Sequence, residues 1–414
     1  MPSRATPILI LACLALGAPA WAQTTLHMRG GVPPPPGDIT AVDAQGVTIS
    51  LAGPAPTPPA NATNKAAPRP PSSTTTVIAW DRVAGVEGEL ASAAAPFMPA
   101  AERLWRARSR LDRGDVVGAE PIFEELFPAF AGKRGPTAAV AAGGLLRCRL
   151  GTGAQTAAVA PWLAYINALG ENDQPLLASA DADPTAPPAI DPSTGLAPSL
   201  PPIWVSLPAV QSLARGPWPM NAGGDVRPRA AILSAYYEQA ARFESGLPIQ
   251  VPTANVERDD AVALVREMVM SRIGDETQRG VARQALSARL KRRIMPWMEA
   301  WVRTALGRSM LLESSRDTQL LGVAELAELP ARLERVNPYL TGIALAEAAV
   351  ATAKLGDAAG ATQLRNELSD RFPGHPALEW EPLRGWSSTA PTPIPNPAPA
   401  PPPASPDPSK GGPA

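Results

Sequence analysis

Histidine is scarce in this chain. His27 and His375 are the two it carries, against 38 acidic and 37 basic residues in 414. Imidazole-based catalysis would have to use one of them, and neither stands at metal-ligating spacing from a cysteine, a carboxylate or a second histidine. No HExxH, Gly-x-Ser-x-Gly elbow, phosphate-binding loop or dinucleotide fingerprint occurs. The acids suggest two further chemistries. Asp181-Ala182-Asp183 with nearby Asp191 invites a calcium reading, but such a loop needs glycine at its sixth position and a carboxylate at its twelfth, where Ala186 and Pro192 stand. Asp259-Asp260 and Asp275-Glu276 could supply paired carboxylates for glycoside hydrolysis. Both pairs fall in first turns of helices, where the helix dipole favours acids without any ligand. Cys148 lies between Leu146 and Leu150 and reads as a small buried residue. Arg147 and Arg149 flank it but point to other helix faces. The expectation is a chain with no catalytic residue, no metal and no cofactor.

Binding chemistry is better represented. Ten tryptophans stand against four tyrosines and six phenylalanines. Trp204 and Trp218 belong to a proline-rich stretch, and Trp297 and Trp301, spaced i,i+4, share a helix face. Together they could form an aromatic platform for a peptide or a sugar, or they could pack that stretch onto helices. Arg103, Arg106 and Arg110, with Arg113, form a cationic stripe able to grip an acidic partner. Glu102, Asp112 and Asp115 are close enough in sequence to neutralise it. Arg289, Lys291, Arg292 and Arg293 end a helix, where positive charge is favoured. The net charge of −1 gives no basic footprint for nucleic acid or an anionic membrane.

These residues need elements to position them. Residues 1–22 read as a secretory signal: Arg4, an apolar run from Ile8 to Leu16, and Ala20-Trp21-Ala22 before the cleavage point. The chain is therefore expected to be exported, to the periplasm or beyond the cell, with no transmembrane segment after cleavage. Lipid anchoring at Cys13 is the weaker reading, because the apolar run before it is short. Residues 23–88 alternate as strands do, with Val47, Ile49 and Leu51 against Thr48 and Ser50, and carry a proline-rich insertion over 52–73. Residues 96–170 are helical, and 171–226 hold too many prolines for long helices. Ile203-Trp204-Val205 and Leu207 nonetheless predict an ordered, extended segment lying across helices. Residues 227–377 are helical again, with helices expected at 229–245, 256–273, 275–294, 297–314, 316–335, 338–355 and 358–371. Asn255, Asn337 and Asp357 are the expected caps. Residues 378–414 form a proline-rich tail expected to be disordered.

One phrase occurs twice. Gly114-Asp115-Val116-Val117-Gly118-Ala119 recurs as Gly356-Asp357-Ala358-Ala359-Gly360-Ala361, each followed at the same offset by Glu-Leu, at 125–126 and 367–368. Lys354-Leu355-Gly356-Asp357, then Ala361, then Pro373 after Phe372, resembles a tetratricopeptide repeat: a glycine turn, a small residue where two helices meet, and a terminating proline. The first-helix aromatic and leucine-glycine pair of such repeats are absent or replaced, as by Leu345 and Ala348-Ala349. Near the N-terminus, Gly37-Asp38-Ile39, Val42-Asp43, Gly46-Val47-Thr48-Ile49 and Ile78-Ala79-Trp80-Asp81-Arg82-Val83 loosely resemble exported Sm-like or SH3-like small barrels. These resemblances imply a mainly α fold: a tetratricopeptide-like helix-pair solenoid with a small N-terminal β-barrel-like module and proline-rich linkers. They also imply protein or peptide binding as a class. The function expected is a non-enzymatic interaction scaffold with a protein or peptide partner in the envelope. The alternative is a cell-wall or polysaccharide binder or processing protein using its tryptophans and acids.

Overall fold

The computed structural model of the chain describes residues 24–51, 74–169, 189–218, 225–253 and 259–384. The expected signal segment, the 52–73 insertion, Cys13, Asp181, Asp183, Asn255 and residues 385–414 lie outside the described residues, whereas 378–384, expected within the disordered tail, are ordered and bury Leu383.

Strands β1 (Thr25–Met28) and β5 (Val83–Glu87) pair antiparallel, as do β2 (Asp38–Asp43), β3 (Gly46–Leu51) and β4 (Thr74–Ile78) in the order β2-β3-β4. A 3-10 turn, Trp80–Arg82, links β4 to β5. Alternation orients β3: Val47 and Ile49 are buried, while Thr48 and Ser50 are half-buried. Asp43 accepts from Gln45 and Gly46 in the β2–β3 turn, so side chain and glycine together close that hairpin.

The rest is helical. The short α1 (Ala91–Ala94) leads into α2 (Met98–Leu111), α3 (Val116–Phe130), α4 (Pro136–Gly151) and α5 (Gln155–Ala168). After the proline-rich segment come α6 (Pro208–Arg215), α7 (Pro228–Glu244), α8 (Asp260–Ile273), α9 (Glu276–Leu290), α10 (Pro296–Met310), α11 (Arg316–Glu328), α12 (Pro338–Lys354), α13 (Ala358–Arg371) and α14 (Glu381–Arg384). Successive helices pack on one another. In addition α2 meets α4, α8 meets α10 and α10 meets α12, the alternate-neighbour pattern of stacked helix pairs. Contact of α5 with α7 joins the two helical stretches, and one connected apolar core runs from Val47 and Trp80 through Trp162 to Trp301 and Leu345.

The two copies of the repeated phrase make the same corner. Gly114 (φ 79°) and Gly356 (φ 92°) take the left-handed conformation that a side chain disfavours. Asp115 then accepts from the Gly118 amide at 2.9 Å, and Asp357 from the Gly360 amide at 2.8 Å, each capping its helix. Ala119 and Ala361 are buried where the paired helices meet. Asn337 caps α12 as expected, accepting from Leu340. Helix α8 begins at Asp260, capped by Asp259 through the Ala261 and Val262 amides, rather than at 256. The acids of Asp259-Asp260 and Asp275-Glu276 thus serve helix starts, Asp275 within a capping box closed by Gln278.

Candidate functional site: the seat of the proline-rich segment

Residues 189–207 run without regular secondary structure before entering α6. Proline fixes φ and removes amide donors, so the backbone of Pro198, Pro201 and Pro202 offers carbonyls only. The surrounding helices meet those carbonyls with donors. Trp301 Nε1 of α10 donates to Pro198 O at 2.9 Å, and Asn337 Nδ2 donates to the same oxygen at 3.0 Å. Tyr237 of α7 donates to Leu200 O at 2.5 Å and Tyr339 of α12 to Ile203 O at 3.3 Å. Arg308 Nη2 reaches Trp204 O at 2.6 Å, Arg229 donates to Thr194 O, and Trp162 Nε1 lies 3.4 Å from Gly195 O. Side chains from α5, α7, α10 and the start of α12 thereby grip one irregular stretch of backbone, which turns at 192–194 and 198–199.

The apolar side chains of the segment are equally enclosed. Leu196, Leu200, Ile203, Trp204 and Val205 are buried, and Trp204 meets Tyr237 edge-on with centroids 6.0 Å apart. Burying a large apolar side chain stabilises by roughly 1.5–3 kcal/mol. The segment is therefore part of the core. Its turn at 191–196 is self-contained: Asp191 Oδ1 accepts from the amides and hydroxyls of both Ser193 and Thr194. Burial opposes ionisation of Asp191, and those hydrogen bonds outweigh it and hold its pKa below the usual carboxylate range.

Behind the segment lies a buried ionic network. Arg308 sits 2.7 Å from Glu347 and 3.0 Å from Glu244, and Arg272 sits 2.9 Å from Glu244. Two cations face two anions, so the cluster is neutral. Desolvation works against the charge on Glu244, and the fields of Arg272 and Arg308 overcome it and lower its pKa. The same competition leaves Arg272 more basic than in water. Tyr237 and Tyr339 are buried, and burial pushes both phenols up, so both remain hydrogen-bond donors.

The four tryptophans proposed as an aromatic platform lie inside the protein. Trp204, Trp218, Trp297 and Trp301 are all buried, with Trp297 and Trp301 in an edge-on pair 5.0 Å apart. Their large apolar area is covered by the protein's own chain, so no open platform of these four exists in this structure. Trp218 borders a cavity of ≈ 460 Å³ with Arg215, Glu238, Arg242 and Leu247. The cationic stripe is paired: Arg103 with Glu125 of α3, Arg106 with Glu102 at 3.1 Å, and Arg110 with Asp115 at 3.7 Å. These three arginines are thus each matched to an acid, Glu102 being shared with Arg29.

Cys148 is buried, and its thiol is pushed up to about 11, first by burial and then by Glu120, so it is held as the thiol. His375 is lowered to about 4 by burial. Its Nδ1 accepts from the Ala377 amide and its Nε2 lies 2.9 Å from Tyr339 O, which fixes the neutral ring with the proton on Nε2. Among the described residues, no group of three or more histidine, cysteine, aspartate or glutamate side chains could hold a metal ion. No helix of the described residues is long and apolar enough to cross a membrane.

The residues that grip the segment were poorly marked in the sequence, though a signal existed. Glu347 is the lone charge between Tyr339 and Ala353, and Arg308 the lone charge between Thr304 and Leu312. A single charge in an apolar helix implies a buried partner. Comparison of the chain with family models, with curated proteins and with solved structures finds no match.

Proposed function

We propose that the protein is an exported, non-enzymatic interaction scaffold. In this reading its helix pairs are of the tetratricopeptide kind and its N-terminal strands form an SH3-like small barrel. The observation that carries the proposal is the grip on the 189–207 backbone: donors from several helices hold a non-helical stretch of chain by its carbonyls. That is the chemistry of an extended-peptide receptor, used here within the chain to lock a rigid body that displays its outer surfaces to a partner. The paired Gly-Asp corners and the alternate-neighbour packing of helices support the repeat assignment. The strand order and the 3-10 turn between β4 and β5 support the barrel assignment. The partner is a protein or peptide of the envelope.

Cross-linking the native protein in its own cells, followed by mass spectrometry, tests this. One protein captured reproducibly at near-equal yield is the expected result. Capture of cell-wall fragments alone would replace the scaffold with a glycan-binding function.

A further inference from the structure

The chain between β1 and β2 has a feature that the helical body does not use. Val32-Pro33-Pro34-Pro35-Pro36 follows the turn at Arg29–Gly31 and precedes β2. A residue that precedes proline is confined to extended or polyproline II backbone, and proline fixes its own φ. Val32 through Pro35 each precede a proline, so polyproline II backbone is favoured along these four residues. Val32, at φ −73° and ψ 131°, is in it. The segment is also displayed. Val32 is 59% exposed, Pro33, Pro34 and Pro36 are exposed, and Pro35 alone is half-buried. Three residues make one turn of this helix, so Pro33 and Pro34 present exposed rings on successive edges before the chain bends at Pro36–Gly37.

Both ends are fastened. Before the run, Arg29 donates from Nε to Val83 O at 2.9 Å, pairs with Glu102 at 2.7 Å, and lies 4.9 Å from the centroid of the Trp105 ring. After the run, Gly37 (φ 148°) lies so close to β3 that a Cβ would come within 2.3 Å of Ser50 O and 2.9 Å of Ile49 Cγ2. The segment is thus a stiff rod held at both ends against the sheets with its proline edges outward. A packed role would turn those rings inward.

We propose that Val32–Pro36 is a docking ligand, a preformed polyproline II rod that seats in an aromatic-lined, proline-recognising groove of a partner protein. Flat aromatic rings complement the grooves between prolines, and tryptophan or tyrosine donors complement the free carbonyls. Because the rod is already ordered, little conformational entropy is lost on binding. Asp38 follows with its side chain exposed, so the matching groove carries a cation beyond its C-terminal end. This surface is separate from the seat of residues 189–207, and the proposal stands without the repeat assignment.

The test places a photo-cross-linking residue at Val32 in the full chain in its own cells, with the same residue at Val117 on α3, which is 80% exposed, as the control. The protein captured from position 32 is purified and titrated with the unmodified full chain, following its tryptophan fluorescence. The titration is repeated with the variant Pro33→Ala/Pro36→Ala, whose thermal midpoint and far-UV spectrum report folding. The expected result is one protein captured from 32 and not from 117, with affinity weakened on the order of tenfold or more by the double substitution. Equal capture from both positions, no capture from 32, or an affinity unchanged by the substitution would overturn the proposal. Capture from 117 alone would overturn it while leaving the scaffold function standing. If the double variant unfolds, Asp38→Lys serves instead: weakened binding supports the docking mode, and unchanged binding contradicts it.

Discussion

Two sets of arginines in this molecule have the same chemistry and opposite meanings. Arg103, Arg106 and Arg110 line the outside of α2 and pair with acids on their own or the next helix, with much of their surface in water. Arg308 and Arg272 lie behind the proline-rich segment and face Glu244 and Glu347, and Arg308 reaches the segment through Trp204 O. An exposed pair is screened and contributes little; a buried one, once formed, is costly to break. The regular spacing that makes the first set conspicuous in the sequence is what solvent tolerates. The isolation of Arg308 and Glu347 among apolar neighbours is what burial demands.

Breaking the buried set should have the largest effect. Arg308→Leu takes the nearer guanidinium from Glu347, leaving it Arg272 at 3.8 Å, and leaves Trp204 O without its donor; it should lower unfolding free energy by about 3–5 kcal/mol in urea melts. Arg308→Met combined with Glu347→Leu removes one charge of each sign and leaves Glu244 with Arg272. It should recover a substantial part of that loss, and a double variant as unstable as the single would show that the charges do more than balance one another. Asn337→Ala removes both the α12 cap and one donor to Pro198 O, and should cost about 2 kcal/mol by the same assay. Asp357→Ala, which removes a cap alone, should cost about 1 kcal/mol.

A comparable effect depends on pH. The folded pKa of His375 lies below its unfolded value, so folding favours the neutral ring. Its contribution is complete above about pH 6.5 and is lost as pH falls from there toward about 4. Stability at pH 5 should be lower than at pH 7 by about 2 kcal/mol, and His375→Gln should flatten that slope. The acid-side loss from Glu244, whose pKa is also lowered, sets in as pH falls to the carboxylate value of the unfolded chain, 4.5, so most of it falls below this window. The smallest effect belongs to the outer stripe: Arg103→Ala or Arg106→Ala should leave the thermal midpoint where it was.

Much of the helical frame was legible, because periodic apolar positions and caps are local signals. Expected helices at 338–355 and 358–371 meet observed ones at Pro338–Lys354 and Ala358–Arg371. The proline-rich stretch is packed on the helices, since Ile203, Trp204 and Val205 are too apolar to remain in water, but its backbone turns at 192–194 and 198–199 where an extended run was expected. The α8 start moved because Asp259 supplies the cap. What the sequence concealed was partnership. Trp301 and Asn337 share the carbonyl of Pro198, more than a hundred residues away. No spacing rule connects them, because the contact is made by the stacking of α10 and α12. Tryptophan read as a surface for a ligand became interior for the same reason.

Hydrogen exchange read by mass spectrometry over peptides covering residues 196–210 tests the central claim most directly. If the proline-rich segment is a gripped part of the core, its amides should exchange as slowly as those of α10 and α12, and Arg308→Leu should accelerate all three together. Exchange of the segment within seconds, while α10 and α12 stay protected, would show that it lies on the helices without being held by them.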